Sequence, residues 1–448
     1  MVSRWLRRVA GRPAGPRIFL HIGAMKTGTT FLQGLMDANR GALRDAGVVF
    51  PGERWWDQSM AVREILWPPA DARMRDLLAG HWDRISREML DHPGTSVLSM
   101  EFLSFADTEQ ARRVLDSLEG AEVHVVLTVR DANASIPGQW QTSCRNGGRI
   151  SYQRMVRAVR YVLNDELPPQ GKSARLFQRT QGIPQMLDVW VPLVGARHVH
   201  VVTVPPRGTD PMVLWRRFAG VVGVDPAVCT ELPEDANPSL GHASSELLRR
   251  INAGLGTFHR IDYNRIIKGR LARRVLAARS DLEQTVVLNR RGRTLAARWN
   301  RSVREAIASQ GVELVGSLDD LPVEPGGPDD PQDLPAPSAE ELIAAAVTAR
   351  DGLANIRERL SARVGGPAPE PLPDLPTPAD RWSSEPDPVA AAVEEVTALA
   401  RVCVDLRHRI PDKKGGWGPA DDDFEDDDEQ DDDLDATGLD GDLDDESD

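Results

Sequence analysis

Apolar positions along the chain fall into two alternating patterns between residues 17 and 323. Short continuous runs at 17–22, 48–50, 95–100, 123–129, 198–204 and 312–316 have the length and β-branched content of buried strands. Between them, apolar residues recur at helical spacing, and the pattern predicts helices within 58–90 and at 211–222, 240–257, 261–279 and 291–309. Strands separated by helices need crossover connections, which predicts an α/β fold with a parallel β-sheet covered by helices.

Beyond 323 the pattern changes. Residues 324–337 (EPGGPDDPQDLPAP and neighbours) are rich in Pro, Gly and Asp and read as a linker. Ser338 and Glu341 then have capping-box spacing. Behind them Leu342, Ala346, Ala349, Leu353, Ile356 and Leu360 form one apolar seam. After a Pro-rich break, Val389, Val393, Val396, Ala400, Cys403, Leu406 and Ile410 form a second. Each helix of this 338–411 extension has a single apolar stripe, as in a coiled coil, and needs a partner. Docking within the chain is the expected solution; self-association through the same stripes is the alternative. Residues 412–448 form an acidic, low-complexity tail expected to be disordered.

Charge sharpens this division. The net charge is −14, yet residues 421–448 carry 18 acidic and no basic residues, so the remainder is at +4. Residues 1–16 form a basic segment without the apolar stretch of a secretory signal, and no run has the length of a membrane span. The three cysteines, Cys144, Cys229 and Cys403, are scattered, with neither metal-ligand spacing nor a disulfide framework. A cytoplasmic protein without bound metal is the expectation.

The chemistry concentrates at residues 19–33, FLHIGAMKTGTTFLQ. An apolar strand turns through Gly23 and Gly28 into a helix whose apolar face is Phe31, Leu32, Leu35 and Met36. Unpaired N–H groups of the loop and first turn, with the helix dipole, favour an anion there. Lys26 adds a point charge and Thr27, Thr29 and Thr30 add hydroxyls. The glycines have the Walker A spacing, but Thr29 stands where that motif has lysine.

The string KTGTT between strand and helix resembles the 5′-phosphosulfate loop of sulfotransferases that use 3′-phosphoadenosine 5′-phosphosulfate (PAPS). VLTVRD, ending at Asp131, is similar to the family's second element, in which a strand ends in an arginine and the next helix supplies a serine for the 3′-phosphate. Arg130 matches the arginine; Ser135 is the candidate serine, although it lies five residues on and Gly138 occupies the more usual position. VVTVPP, LWRRFAGVVGVDP and NPSLG also look like bacterial sulfotransferase-like proteins.

The resemblance covers about 17–323 and implies a P-loop type fold and a cytosolic, metal-independent transferase. Such an enzyme moves a sulfuryl group from PAPS to a hydroxyl or amine of a small-molecule, lipid or carbohydrate acceptor, without a nucleic-acid partner. It implies that Lys26 neutralises the leaving phosphate, that the backbone of Thr27, Gly28, Thr29 and Thr30 holds it, and that Glu101, just after a core strand, is the base. His21 is the competing base, and a cap for the helix beginning near Asp107 is the structural alternative for Glu101. Two other classes remain open on the sequence: a P-loop kinase or NTPase with Asp131 as the metal-binding carboxylate, and a non-catalytic nucleotide-binding protein. The tryptophans Trp55, Trp56, Trp67 and Trp82 are expected in packing or in an acceptor cleft.

Overall fold

The computed structural model describes residues 15–67, 72–163, 172–233, 239–256, 258–364 and 378–410. The acidic tail, the part of the Pro-rich break (367–388) before residue 378 and most of the basic N-terminal segment lie outside them. All six predicted strands form: β1 (Arg17–His21), β2 (Val48–Val49), β3 (Thr95–Ser99), β4 (Glu122–Val129), β5 (Val199–Thr203) and β6 (Glu313–Val315). They make one parallel sheet in the order β2-β3-β1-β4-β5-β6. Every residue of β3 and β5 is buried, as expected for a sheet with helices on both faces.

The strand order positions everything that follows. β1 lies between β3 and β4, with His21 level with Ser99 on one side and Val126 on the other. Parallel strands spaced about 4.8 Å apart present their carboxyl ends side by side. Segments remote in sequence, following His21, Ser99 and Val129, therefore meet at one edge of the sheet.

Helix boundaries depart from the periodicity in two places. The 58–90 stretch is divided into helices Trp55–Leu66, Ala72–Leu78 and His81–Asp91. The stretch 261–279 becomes a short helix, Arg260–Tyr263, running into a wider-wound one, Asn264–Leu276. Four helices between β4 and β5, at Ala132–Arg145, Tyr152–Val162, Lys172–Gln181 and Ile183–Val194, fill a region where the sequence pattern sets no firm bounds.

The C-terminal extension is docked within the chain. Helices Ala339–Val364 and Pro388–His408 pack on each other and against His242–Leu255 and Asn264–Leu276. Leu353, Leu360, Val396, Ala400 and Cys403 are buried in that contact. The Ser338–Glu341 capping box is present, with N–H to carboxylate and N–H to hydroxyl distances of 2.7 and 3.2 Å. The expected linker at 324–337 is held down as well. Asn289 donates to the Gln332 carbonyl, the Arg290 N–H to that of Pro331, and Arg293 pairs with Asp330 at 3.0 Å. Among the described residues no helix is long and apolar enough to cross a membrane.

Candidate active site

The loop after β1 takes its shape from a buried chain of hydrogen bonds. His21 is fully buried, with Nδ1 2.7 Å from Ser99 Oγ and Nε2 3.2 Å from Thr128 Oγ1. Thr128 and Thr27 hydroxyls lie 2.6 Å apart, and Thr27 Oγ1 donates to the Ala24 carbonyl. Thr27 has its one hydrogen committed to Ala24, so Thr128 donates to Thr27 and accepts from His21 Nε2–H. Ser99 then donates to His21 Nδ1. The chain runs from β3 through β1 and β4 into the loop, and burial pushes the His21 imidazole down to about 3. The geometry makes His21 a neutral strut with both nitrogens engaged and not part of the cavity lining. The Thr27 hydroxyl likewise faces inward and leaves only its backbone for a ligand.

Three further contacts anchor the loop. Ala24 N–H donates to the Thr128 carbonyl, Met25 N–H to that of Thr180, and Gln181 Nε2 to that of Met25. Gly23 has φ 95°, and a Cβ there would stand 3.0 Å from Glu101 Cβ, so this glycine permits the close approach of the segment after β3. Gly28 has φ 83° and precedes the helix Thr29–Ala38, whose first turn no side chain caps. A Cβ on Gly28 would meet Leu214 at 2.6 Å.

At the carboxyl edge of the sheet lies a cavity of about 200 Å³. Lys26, Gly28, Thr29 and Thr30 line it from the loop, Glu101 from the end of β3, and Arg130 from the end of β4. Glu101 opens a tight turn, Glu101–Phe105. Its carboxylate accepts from Gln33 Nε2 at 2.8 Å and from Thr29 Oγ1 at 3.3 Å. It does not cap the following helix: Asp107 does, in a reciprocal bond with Gln110. Glu101 is thus not the cap of that helix; its carboxylate ties the end of β3 to helix Thr29–Ala38.

Arg130 reaches the Lys26 carbonyl at 3.4 Å. Burial first, and then the charge of neighbouring Arg207, hold its guanidinium below the usual arginine range, against the opposing pull of Asp131. An anion bound in the cavity, which Arg130 lines, would relieve that repulsion on its guanidinium. Asp131 itself is turned away. Its Oδ1 accepts from the Asn133 N–H and side chain at 2.9 and 3.0 Å and from Asn300 Nδ2 at 2.7 Å. Asp131 is the cap of helix Ala132–Arg145, outside the cavity lining, and is poorly placed to hold a metal there.

Ser135 is fully buried and not among the lining residues, whereas Gly138, one turn further, is. The serine expected from the resemblance is thus not brought to the cavity wall. In its place the same helix contributes Gln141, Thr142 and Arg145, with Asn146 following. No motif in the sequence marks these four. Their signal was helical spacing from Gly138 on the face that continues the wall. Trp55, Met100 and Phe102 supply an apolar side, and Ser239 and Leu240 complete it from a distant segment. Trp55 is buried with its indole N–H on the Ser99 carbonyl at 3.1 Å. Trp82 belongs to the core, and Trp67 stacks edge-on against Phe102 at 5.6 Å.

No family model and no curated protein matches the chain. Among solved structures, a sulfotransferase from Alicyclobacillus acidocaldarius is similar over 50% of this chain and 85% of its own. Identity is 14% and the TM-score 0.32, a likeness too slight to argue from.

Proposed function

We propose that the protein is a sulfotransferase that moves a sulfuryl group from PAPS to a hydroxyl or amine of an acceptor bound at the apolar side of the cavity. The observation that carries this reading is the convergence of Lys26, the Gly28–Thr30 turn, Glu101 and Arg130 on one cavity wall from three separate strand ends. The uncapped helix start and Lys26 would hold the 5′-phosphate, and Arg130, with Arg207 nearby, the 3′-phosphate. Arg145 offers a further cation on the wall.

Transfer of a planar SO3 unit depends on in-line positioning and charge stabilisation. Lys26 would neutralise the charge gathering on the bridging oxygen as the sulfur–oxygen bond to the phosphate breaks. Glu101 would accept the acceptor's proton as the new oxygen–sulfur or nitrogen–sulfur bond forms. Gln33 and Thr29 orient its carboxylate for that role. The products would be the sulfated acceptor and adenosine 3′,5′-bisphosphate. Trp55, Met100 and Phe102 favour an acceptor with an apolar or ring-bearing body beside its nucleophile.

Calorimetry with adenosine 3′,5′-bisphosphate and 5′-AMP tests the donor assignment. Arg130→Ala is expected to weaken the bisphosphate by about 10- to 150-fold, the worth of one charged hydrogen bond of about 1.5–3 kcal/mol, with little effect on 5′-AMP. Equal losses for both ligands would remove the 3′-phosphate role. Failure of either to bind, with tight Mg²⁺-dependent binding of ATP, would turn the reading to an NTPase.

A further inference from the structure

At the opposite edge of the sheet, where the strands begin, three side chains converge that play no part in the cavity. Glu122 opens β4, His124 follows two residues on, and His198 ends the turn Ala196–His198 before β5. Their nearest ligand atoms all lie within 4.8 Å of one another. Glu122 Oε1 is 3.6 Å from His124 Nε2 and 3.6 Å from His198 Nε2.

The hydrogen positions on both rings follow from their other partners. His198 Nδ1 lies 2.9 Å from the Val194 carbonyl, which can only accept, so Nδ1 carries the proton and Nε2 a lone pair. His200 Nδ1 lies 2.5 Å from a Glu313 carboxylate oxygen and must donate to it. His200 Nε2 lies 2.8 Å from His124 Nδ1, and with His124 as the donor in that contact its Nε2 carries a lone pair. Both imidazoles thus turn Nε2 towards the same carboxylate oxygen, where a metal between them would take both nitrogens as ligands. His124 is further held in orientation by stacking on Phe19, with ring centroids 4.7 Å apart, and on His200, at 5.1 Å.

We propose that Glu122, His124 and His198 form a binding site for a transition-metal dication such as Zn²⁺. Two imidazoles and a carboxylate are a common zinc donor set. Ligand bonds of about 2.0–2.1 Å in a tetrahedron place donor atoms about 3.3–3.4 Å apart, so the two gaps of 3.6 Å to Glu122 need to close by only a few tenths of an ångström, and the His124–His198 separation, within 4.8 Å, by at most about 1.4 Å. The Glu313–His200–His124 series is the outer support such histidines use, a carboxylate fixing the tautomer through the far nitrogen. Glu122 is half exposed, its side chain at 45%, which gives the ion an entry path and a water in the fourth position.

The site lies roughly 23 Å from the cavity, the length of eight-residue β4. A metal here would tie the start of β4 to the turn that feeds β5. It would act on the sheet, not on the transfer chemistry. The sequence hides it because its ligands come from one strand and a turn about 70 residues on, with no compact Cys/His motif.

Full-length protein stripped with a chelator and then dialysed is titrated with Zn²⁺ by calorimetry, and with Co²⁺ in the visible range. The expected result is one zinc bound per chain and cobalt d–d bands of four-coordinate intensity, with a rise in Tm on loading. His198→Gln and Glu122→Gln, both at partly exposed positions, are each expected to weaken zinc at least about tenfold while keeping the metal-free Tm. His408→Gln tests the second cluster, His259–Asp262–His408, and is expected to bind zinc as the parent does. Absence of zinc binding by the parent would overturn the proposal. So would binding unaltered in both ligand variants, or lost only in His408→Gln.

Discussion

Lys26 has φ 61°, in the left-handed region that costs a non-glycine residue about 1–3 kcal/mol, between glycines that adopt positive φ without that cost. The loop is held there by Thr27 turning its hydroxyl inward onto Ala24 and Thr128, which leaves the neighbouring lysine at the cavity wall. Its charge matters most while the leaving phosphate gains charge. Lys26→Ala is therefore expected to lower kcat by about 10²–10³-fold with a smaller effect on donor affinity. Glu101→Gln is expected to lower kcat by about 10²–10⁴-fold and to leave adenosine 3′,5′-bisphosphate affinity near the parent's. Steady-state kinetics alongside calorimetry separates the two quantities. Full activity of Glu101→Gln would remove it as the base, and His21, wedged between Ser99 and Thr128, offers no free nitrogen to replace it.

At the scale of elements, the C-terminal helices are part of the body. Ala339–Val364 and Pro388–His408 each have a buried stripe, and neither could keep that stripe from water alone. Polar contacts register the pair: Arg350 and Arg381 both reach the Glu395 carboxylate, the former at 2.7 Å, and Trp382 donates its indole N–H to it at 2.9 Å. Those bonds hold Glu395 below the usual carboxylate range, in spite of the burial that opposes them. Leu353 is fully buried between these helices and the core. Leu353→Ala is expected to cost about 2–5 kcal/mol in a urea or guanidinium unfolding series, in one cooperative transition. A separate low-denaturant transition confined to the variant would show that the helix pair undocks as its own unit.

For the whole molecule, the buried hydrogen-bond chain through His21 couples stability to pH. His21 is neutral in the folded chain with its imidazole lowered to about 3 from an ordinary 6.5, so only the unfolded chain takes up its proton between these values. Above pH 6.5 the group adds nothing to the pH dependence. As pH falls from about 6.5 towards 3 the unfolded state gains protons and stability declines, by up to about 1.4 kcal/mol per pH unit for this one group. Unfolding midpoints measured from pH 7.5 to 4.5 are expected to fall, and His21→Gln, less stable at neutral pH, to show a shallower decline. Equal slopes would mean that other groups carry the acid sensitivity, His242, lowered chiefly by burial, being the next in line.

What consecutive residues encode, the sequence displays. The six apolar runs, the glycine-and-threonine turn into helix Thr29–Ala38, the capping box at Ser338 and the one-sided stripes beyond it are local patterns, each written within a few turns or strand repeats. Lys26, Glu101 and Arg130 were legible because each follows an apolar strand, where open α/β sheets gather ligands. Strand order was not legible, because pairing between β1, β3 and β4 depends on crossovers spanning many residues, whose endpoints no local period reveals. That order brings Glu101 beside Gly23, and the helices and loops packed around it set Trp55, Arg145 and Ser239 on the same wall. It also turned Thr27 and His21 inward, buried Ser135 away from the wall, and gathered Glu122, His124 and His198 at the far edge. Side-chain direction at these positions is a property of the packed sheet, since each depends on what the neighbouring strand places opposite it.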